Sequence, residues 1–155
     1  MPTPGLPERD LTDLEIQLAA NSMRRNIITM LEKSKSGHPG GSLSSTDMVA
    51  TLFFSGAMKY NHNNSEDHTQ DRFFLSKGHA APVIYAAYYL LGWLHDDDMM
   101  TLRQLGSRLQ GHPDSHACPG FEVCSGSLGQ GLSVASGCAL GLQLASLESG
   151  ERAPK

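Results

Sequence analysis

The sequence predicts an α/β domain built mostly of helices, with one short strand. Three observations predict it. Apolar residues recur at helical spacing from Ile16 to Leu31. A short apolar run, Arg72-Phe73-Phe74-Leu75-Ser76, leaves through Lys77-Gly78-His79 into another helix. A glycine-rich turn beginning at Cys124 opens a long uncharged stretch that reads as a helix. A strand that leaves through glycine into a helix is where an α/β fold places ligand-binding residues.

The first helix is expected to begin near Thr12. Thr12 and Glu15 have capping-box spacing, and Leu11 and Ile16 fall where a hydrophobic staple sits. Ile16, Ala19, Ala20, Met23, Ile27, Met30 and Leu31 form its buried side. Arg24 and Arg25 face solvent or a partner, Lys33 and Lys35 suit the negative end, and Gly37 is the expected stop. Ser36-Gly37-His38-Pro39-Gly40-Gly41-Ser42 reads as an irregular loop that fixes where His38 points. A second helix is expected from Ser44 or Ser45, burying Met48, Val49, Leu52, Phe53 and Met58. Asn61 to Gln70 is polar and reads as a loop, with His62 and His68 as solvated residues.

After the strand, a helix is expected from about Ala80 to Leu91, with Pro82 in its first turn and Gly92 ending it. Asp96-Asp97-Asp98 reads as the start of a helix carrying Met99, Met100, Leu102 and Leu105. Arg103 is a lone positive charge there, within reach of Gln110-Gly111-His112-Pro113-Asp114. His112, His116, Cys118 and Cys124 lack the paired short hooks of a structural zinc site.

In the last helix, residues 129, 133, 137, 141 and 145 are Gly, Ser, Gly, Gly and Ala, so one face carries almost no side chain. Leu128, Leu132, Leu140 and Leu144 lie on the adjacent face and are expected in the core. Two Gln, many Gly and Ser, and no basic flanks argue against a membrane span. The turn spacing is G-x-x-G-x-G, which is not the dinucleotide fingerprint. It still bares main-chain groups ahead of a helix N-terminus, which favours polar or anionic ligands.

The 155 residues suffice for one domain with a hydrophobic core. Residues 1–10 hold three prolines and are expected to form a flexible N-terminal arm ahead of a domain over 11–155. A formal net charge of −4 with no basic stripe excludes nonspecific nucleic-acid binding. Three cysteines without a C-x-x-C pair, and no signal peptide, fit a reducing cytoplasm.

His38, His79 and His112 each stand beside a glycine in a turn. Imidazoles converging on one pocket suit proton transfer at oxygen and hydrogen bonding to a developing alkoxide. No residue supplies an electron sink, so a cofactor must carry the hard step.

Four motifs carry a family resemblance. Ser36-Gly37-His38-Pro39-Gly40, Leu75-Ser76-Lys77-Gly78-His79, Gly111-His112-Pro113 and Gly126-Ser127-Leu128-Gly129-Gln130-Gly131 occur in the order and approximate spacing of transketolases. The resemblance runs from about Leu11 to Leu147. The second and fourth motifs are most similar to the N-terminal subunit of split, two-chain transketolases. Ser127 stands where longer transketolases usually have proline.

The resemblance implies a partial thiamine-diphosphate-binding α/β fold, mostly helices with a short parallel-sheet remnant. It implies an enzyme that moves a two-carbon ketol unit between sugar phosphates in the pentose phosphate pathway, with thiamine diphosphate and Mg2+ or Ca2+. His38 and His79 match catalytic histidines over the thiazolium that bind substrate hydroxyls, and His79 also approaches the cofactor. His112 matches a catalytic histidine that contacts the donor sugar, and Arg103 an arginine that holds the acceptor phosphate. Gly126, Ser127 and Leu128 match the turn that cradles the aminopyrimidine. The family's Gly-Asp-Gly metal and diphosphate motif does not occur here, so no metal ligand is assigned. The chain is therefore expected to be an N-terminal piece of the diphosphate-binding domain, inactive alone. Its implied partner is a C-terminal subunit with the pyrimidine-binding domain, in an oligomer, without nucleic acid or membrane. A 1-deoxyxylulose-5-phosphate synthase fragment and a noncatalytic interaction module of the same fold are the alternatives. The second Gly-His-Pro motif disfavours the first and the three retained histidines disfavour the second.

Overall fold

The computed structural model describes residues 10–59, 61 and 69–150. Residues 1–9 of the expected arm over 1–10, together with His62 and His68, lie outside the described residues. Helix α1 spans Asp13–Ser34, α2 Pro39–Phe54, α3 Ala81–Leu90, α4 Asp96–Met99 and α5 Gln130–Ser149. A 3-10 turn, Gly78–Ala80, leads directly into α3.

Helix α3 organises the rest. Its sequence, Ala-Pro-Val-Ile-Tyr-Ala-Ala-Tyr-Tyr-Leu, has no charged residue, and all ten residues are buried. A helix that is apolar all round belongs in the middle of a core. Helices α1 and α2 pack against it and against each other. The three tyrosines keep their hydroxyls hydrogen-bonded, as buried tyrosines must. Tyr85 donates to the Gln110 carbonyl at 2.8 Å, Tyr88 to the Gly120 carbonyl, and Tyr89 to Asp96 Oδ1 at 2.6 Å. These bonds tie the long segment after α3 to its surface. Leu94, Met99, Leu102, Leu109, Cys118 and Phe121 are the apolar side chains that this segment sends into the core.

The α1 start follows the capping-box reading. The Thr12 N–H donates to Glu15 Oε2 at 2.9 Å, and the Glu15 N–H donates to Thr12 Oγ1 at 3.4 Å. Its end does not follow: Lys35, at φ 51°, adopts the left-handed cap expected two residues later. Arg24 pairs with Asp47 of α2. The Leu11 N–H donates to the Phe54 carbonyl at 2.7 Å, so α2 returns antiparallel to α1.

Helix α2 begins earlier than the glycine run suggests. His38 is its N-cap and Pro39 occupies the first turn. Proline there loses no hydrogen bond and presets φ, which outweighs two following glycines. Val49, Phe53 and Phe54 are buried, whereas Met48 is exposed. Leu105 is also exposed, because α4 stops at Met99 and the chain turns at Arg103.

Two larger expectations are corrected. Residues 72–76 do not form a strand, and no strand occurs among the described residues. A strand needs a neighbour to complete its ladder. Here the Leu75 carbonyl instead accepts from the Ser125 hydroxyl at 2.8 Å. The leucines of the last helix are not core either. Leu132 is 68% exposed, Leu140 57% and Leu144 53%. Helix α5 leaves the body after its first turn, which is held where Ser76 Oγ accepts the Leu132 N–H at 3.2 Å. None of the described helices is long and apolar enough to cross a membrane.

Candidate functional site

The two N-terminal histidines meet because α2 starts where it does. As the residue before Pro39, His38 is held in extended backbone, φ −124° and ψ 96°. Its ring lies edge-on to His79, with centroids 5.4 Å apart and planes at 84°. A Cβ at Gly41 would stand 3.3 Å from His79 Nε2, so the glycine leaves the ring its room. Three hydroxyl bonds lock this corner. Lys77 Nζ donates to Ser45 Oγ at 3.0 Å, Ser45 to the Gly41 carbonyl at 2.9 Å, and Ser42 to the Ala80 carbonyl at 3.3 Å.

The glycine turn packs main chain to main chain against the segment bearing His79. A Cβ at Gly78 would lie 2.7 Å from the Ser125 carbonyl oxygen and 3.2 Å from Gly126 Cα. A Cβ at Gly131 would lie 2.6 Å from Ser76 Cα. Glycine is required at both positions because no side chain fits between the backbones. On the other side of the turn is His112: a Cβ at Gly126 would meet its ring at 3.9 Å.

Arg103 closes the circle. Its Nε would sit 2.9 Å from a Cβ at Gly111, and its guanidinium 3.8 Å from one at Gly37. The guanidinium thus lies between the His38 and His112 loops. Its backbone takes a left-handed φ of 62°, held by its N–H donating to the Leu109 carbonyl at 2.8 Å. A non-glycine residue in that region stores strain, which the surroundings must hold in place.

A cleft of about 460 Å³ lies between the His112 loop and the glycine turn, with His112, Asp114, Cys124, Ser125, Gly126 and Ser127 in its wall. His38 and His79 are not in that wall; they stand beyond Gly126 and are reached through Gly78. The structure therefore gives two adjoining groups, His38 with His79 and His112 with the glycine turn. Arg103 spans them at the rim. Ser127 and Leu128 are exposed, Leu128 at 73%.

The polar groups of this surface are unspent. Among the described residues, the imidazoles of His38, His79 and His112 make no hydrogen bond, and Arg103 has no ion-pair partner. The N–H groups of Gly126, Ser127, Leu128 and Gly129 likewise donate to no described residue. Such a set can hydrogen-bond a ligand through main-chain N–H groups and ring nitrogens and neutralise an anion at the rim. No three His, Cys, Asp or Glu among the described residues are placed to hold a metal ion.

Asp114 shapes the far wall. Its Oδ1 accepts the N–H of His116 at 2.9 Å and of Ala117 at 3.3 Å, and these bonds hold its carboxyl below the usual carboxylate range. The three cysteines differ in access: Cys118 is buried, Cys138 half-buried and Cys124 exposed. Burial pushes the Cys118 thiol up to about 11. Burial, with the hydrogen bond to Asp96, pushes Tyr89 up to about 12. Both values lie above the ordinary ones, 9.0 and 10.0, so the associated stability is complete below pH 9 and is lost as pH rises through 11 to 12. The expected result is alkaline unfolding in that window, followed by circular dichroism. Iodoacetamide at neutral pH is expected to label Cys124 first and to spare Cys118 until that unfolding.

Two site residues had no sequence signal. Ser125 reads as an ordinary turn serine but is buried. Gly41 was legible only as half of a Gly-Gly pair, and its service to His79 appears only in three dimensions.

Comparison with known proteins places the chain. Residues 16–149 match the family model for the transketolase thiamine diphosphate binding domain. The chain is similar to transketolase of Aquifex aeolicus, 42% identical over 125 residues, which are 80% of this chain and 18% of that protein. It is 39% identical over 127 residues to chloroplastic transketolase-1 of Arabidopsis thaliana, covering 81% of this chain and 17% of that one. Among solved structures, Campylobacter jejuni transketolase superposes with a TM-score of 0.79 at 33% identity, over 88% of this chain and 21% of the other. Pichia stipitis transketolase in complex with sedoheptulose-7-phosphate gives 0.72 at 34% identity, over 81% and 18%. The chain thus spans about a fifth of the length of the relatives it matches.

Proposed function

The chain belongs to the transketolase thiamine diphosphate binding domain family, and from that premise we propose that it forms the substrate-channel half of a ketol-transferring active site. The observation that carries this reading is the ring of contacts joining His38, His79, Gly126, His112 and Arg103, with their polar groups unpaired among the described residues.

The residues present fit one end of thiamine diphosphate. Free amides from Gly126 to Gly129 and the uncovered Leu128 side chain suit an aminopyrimidine, whose ring edge is polar and whose face is apolar. When bound, the cofactor supplies the electron sink needed to cleave a carbon–carbon bond beside a carbonyl. Gly126, Ser127 and Leu128 hold and orient the ring. His79, at the junction of both histidine groups, binds substrate hydroxyls, moves protons to and from them and approaches the cofactor. His38 shares that task from the other side. His112 contacts the donor sugar. Arg103 binds the acceptor's phosphate, for which its planar fork is suited. Mg2+ or Ca2+ and the diphosphate are held by residues outside this chain.

The same reading assigns the pyrimidine-binding domain to a partner subunit in a cytoplasmic oligomer. The uncovered leucines of α5 are the surface on which the rest of the diphosphate-binding domain sits, since apolar area of that kind marks an interface.

The test is thiamine diphosphate binding and ketol transfer by the chain assembled with the remaining domains. Loss of both activities from a correctly assembled sample contradicts the proposal. Within an active assembly, Arg103→Ala is expected to raise KM for a phosphorylated acceptor by about ten- to a hundredfold, the worth of a charged hydrogen bond. An unphosphorylated acceptor should be unaffected. Equal effects on both acceptors would remove Arg103 from phosphate binding.

A further inference from the structure

We propose that Ser125 is the positioning residue that sets the two histidine groups in register, a role resting on the reading that His79 and His112 serve one pocket. Three of its polar atoms reach two different segments, the one that leads into His79 and the one that carries His112. Its hydroxyl donates to the Leu75 carbonyl at 2.8 Å, on the segment that carries His79. Its N–H donates to the Pro113 carbonyl at 3.3 Å, beside His112. Its own carbonyl oxygen lies where a Cβ of Gly78 would come within 2.7 Å. The side chain of Ser125 is buried, so water does not compete for these bonds.

The placement matters because Ser125 is bonded to both sides at once, whereas the other ties each join one side: Ser76 Oγ accepts the Leu132 N–H at 3.2 Å, and Cys124 Sγ donates to Asp114 Oδ1 at 3.5 Å. Residues 72–76 have no sheet ladder to hold them. The His112 loop is tied to α3 through the Tyr85 hydroxyl and, among the described residues, to the start of the glycine turn only by the long sulfur contacts of Cys124 with Asp114 and Ser115 at 3.5 Å, besides the Ser125 N–H. The first turn of α5 holds Ser76, where the Leu132 N–H donates to Ser76 Oγ at 3.2 Å, and beyond that turn the helix stands exposed. The Leu75 carbonyl would be left without its donor if the hydroxyl were removed, and the 72–76 segment would move relative to Gly126. His79 follows that segment by three residues and His112 lies across the turn, so one deletion should disturb both rings.

The experiment is an NMR comparison of the full chain with Ser125→Ala and Ser125→Thr. In the unmodified chain, the Ser125 N–H is expected to exchange slowly. In Ser125→Ala its protection should fall by about tenfold or more, and the imidazole signals of His79 and His112 should move together while that of His95 stays. Ser125→Thr keeps a hydroxyl and should restore both signals. A lower melting temperature with both imidazole signals unmoved would make Ser125 structural only and would overturn the proposal. Movement of one signal without the other would also overturn it. Should Ser125→Ala not fold, fast exchange of the Ser125 N–H in the unmodified chain is itself the contrary result. None of these readouts depends on catalysis, so failure of the ketol-transfer reading would leave the register measurement standing.

Discussion

His79→Ala is expected to lower ketol transfer in the assembled protein by about a hundredfold or more, the usual worth of a positioned acid–base group. The expectation rests on placement. His79 stands between the two groups: its ring centroid lies 5.4 Å from that of His38, and the adjacent Gly78 abuts Ser125 and Gly126. In the proposed site, a group at that junction serves both substrate hydroxyls and the cofactor. The effect should fall mainly on kcat, because proton transfer is needed in the transition state more than in binding. His116→Ala is the control, since His116 is exposed and its N–H serves only Asp114. Full activity in His79→Ala would refute the assigned role.

Gly78→Ala is expected to be the most damaging small substitution. The new methyl would fall 2.7 Å from the Ser125 carbonyl oxygen and 3.0 Å from its carbonyl carbon. Both are main-chain atoms, so no side chain can swing aside. The glycine turn must retreat, at a cost of about 1–3 kcal/mol by analogy with overpacked cores. That retreat also separates His79 from the turn, and a misplacement near 1 Å costs about a hundredfold in rate. Gly40→Ala supplies the contrast. Nothing lies within 4 Å of a Cβ there, and the residue is already in α2. Alanine should stabilise by about 0.4–1 kcal/mol through the unfolded state. Chemical denaturation distinguishes the two; equal effects would mean that the close approach at Gly78 is unimportant.

Much of the fold was legible in the sequence, and the exceptions have physical causes. Thr12 and Glu15 mark the start of α1 because a capping box is a local, reciprocal device. Helix α3 was readable because Pro82 and Gly92 bracket an unbroken apolar run. The start of α2 was misread since two glycines suggest a loop, whereas a proline at the first helical turn outweighs them. Leu132, Leu140 and Leu144 carry the pattern of a buried helix, yet nothing among the described residues covers them. Periodicity reports the burial that a sequence was patterned for, and this chain spans about a fifth of its relatives' length. The 72–76 run is a similar case: its composition suits a strand, but a ladder needs a partner.

For the site, the glycines that flank each histidine were the strongest signal. They mark close approaches: Gly37 and Gly111 lie against the Arg103 guanidinium, and Gly78 against the Ser125 backbone. The notion of three imidazoles in one cavity was coarser than the structure. His38 and His79 pair directly, whereas His112 lines a cleft on the other side of the turn. Ser125 was invisible because a buried tie between segments depends on tertiary contacts that leave no periodic trace.

The most direct test is to titrate thiamine diphosphate, with Mg2+, into the chain assembled with the proposed pyrimidine-binding partner while following isotope-labelled histidine and amide signals. The account predicts that the amides of Gly126, Ser127 and Leu128 and the imidazole of His79 respond together and saturate together. Saturable binding that leaves those signals unmoved, with the response confined to distant groups such as His95, would contradict it.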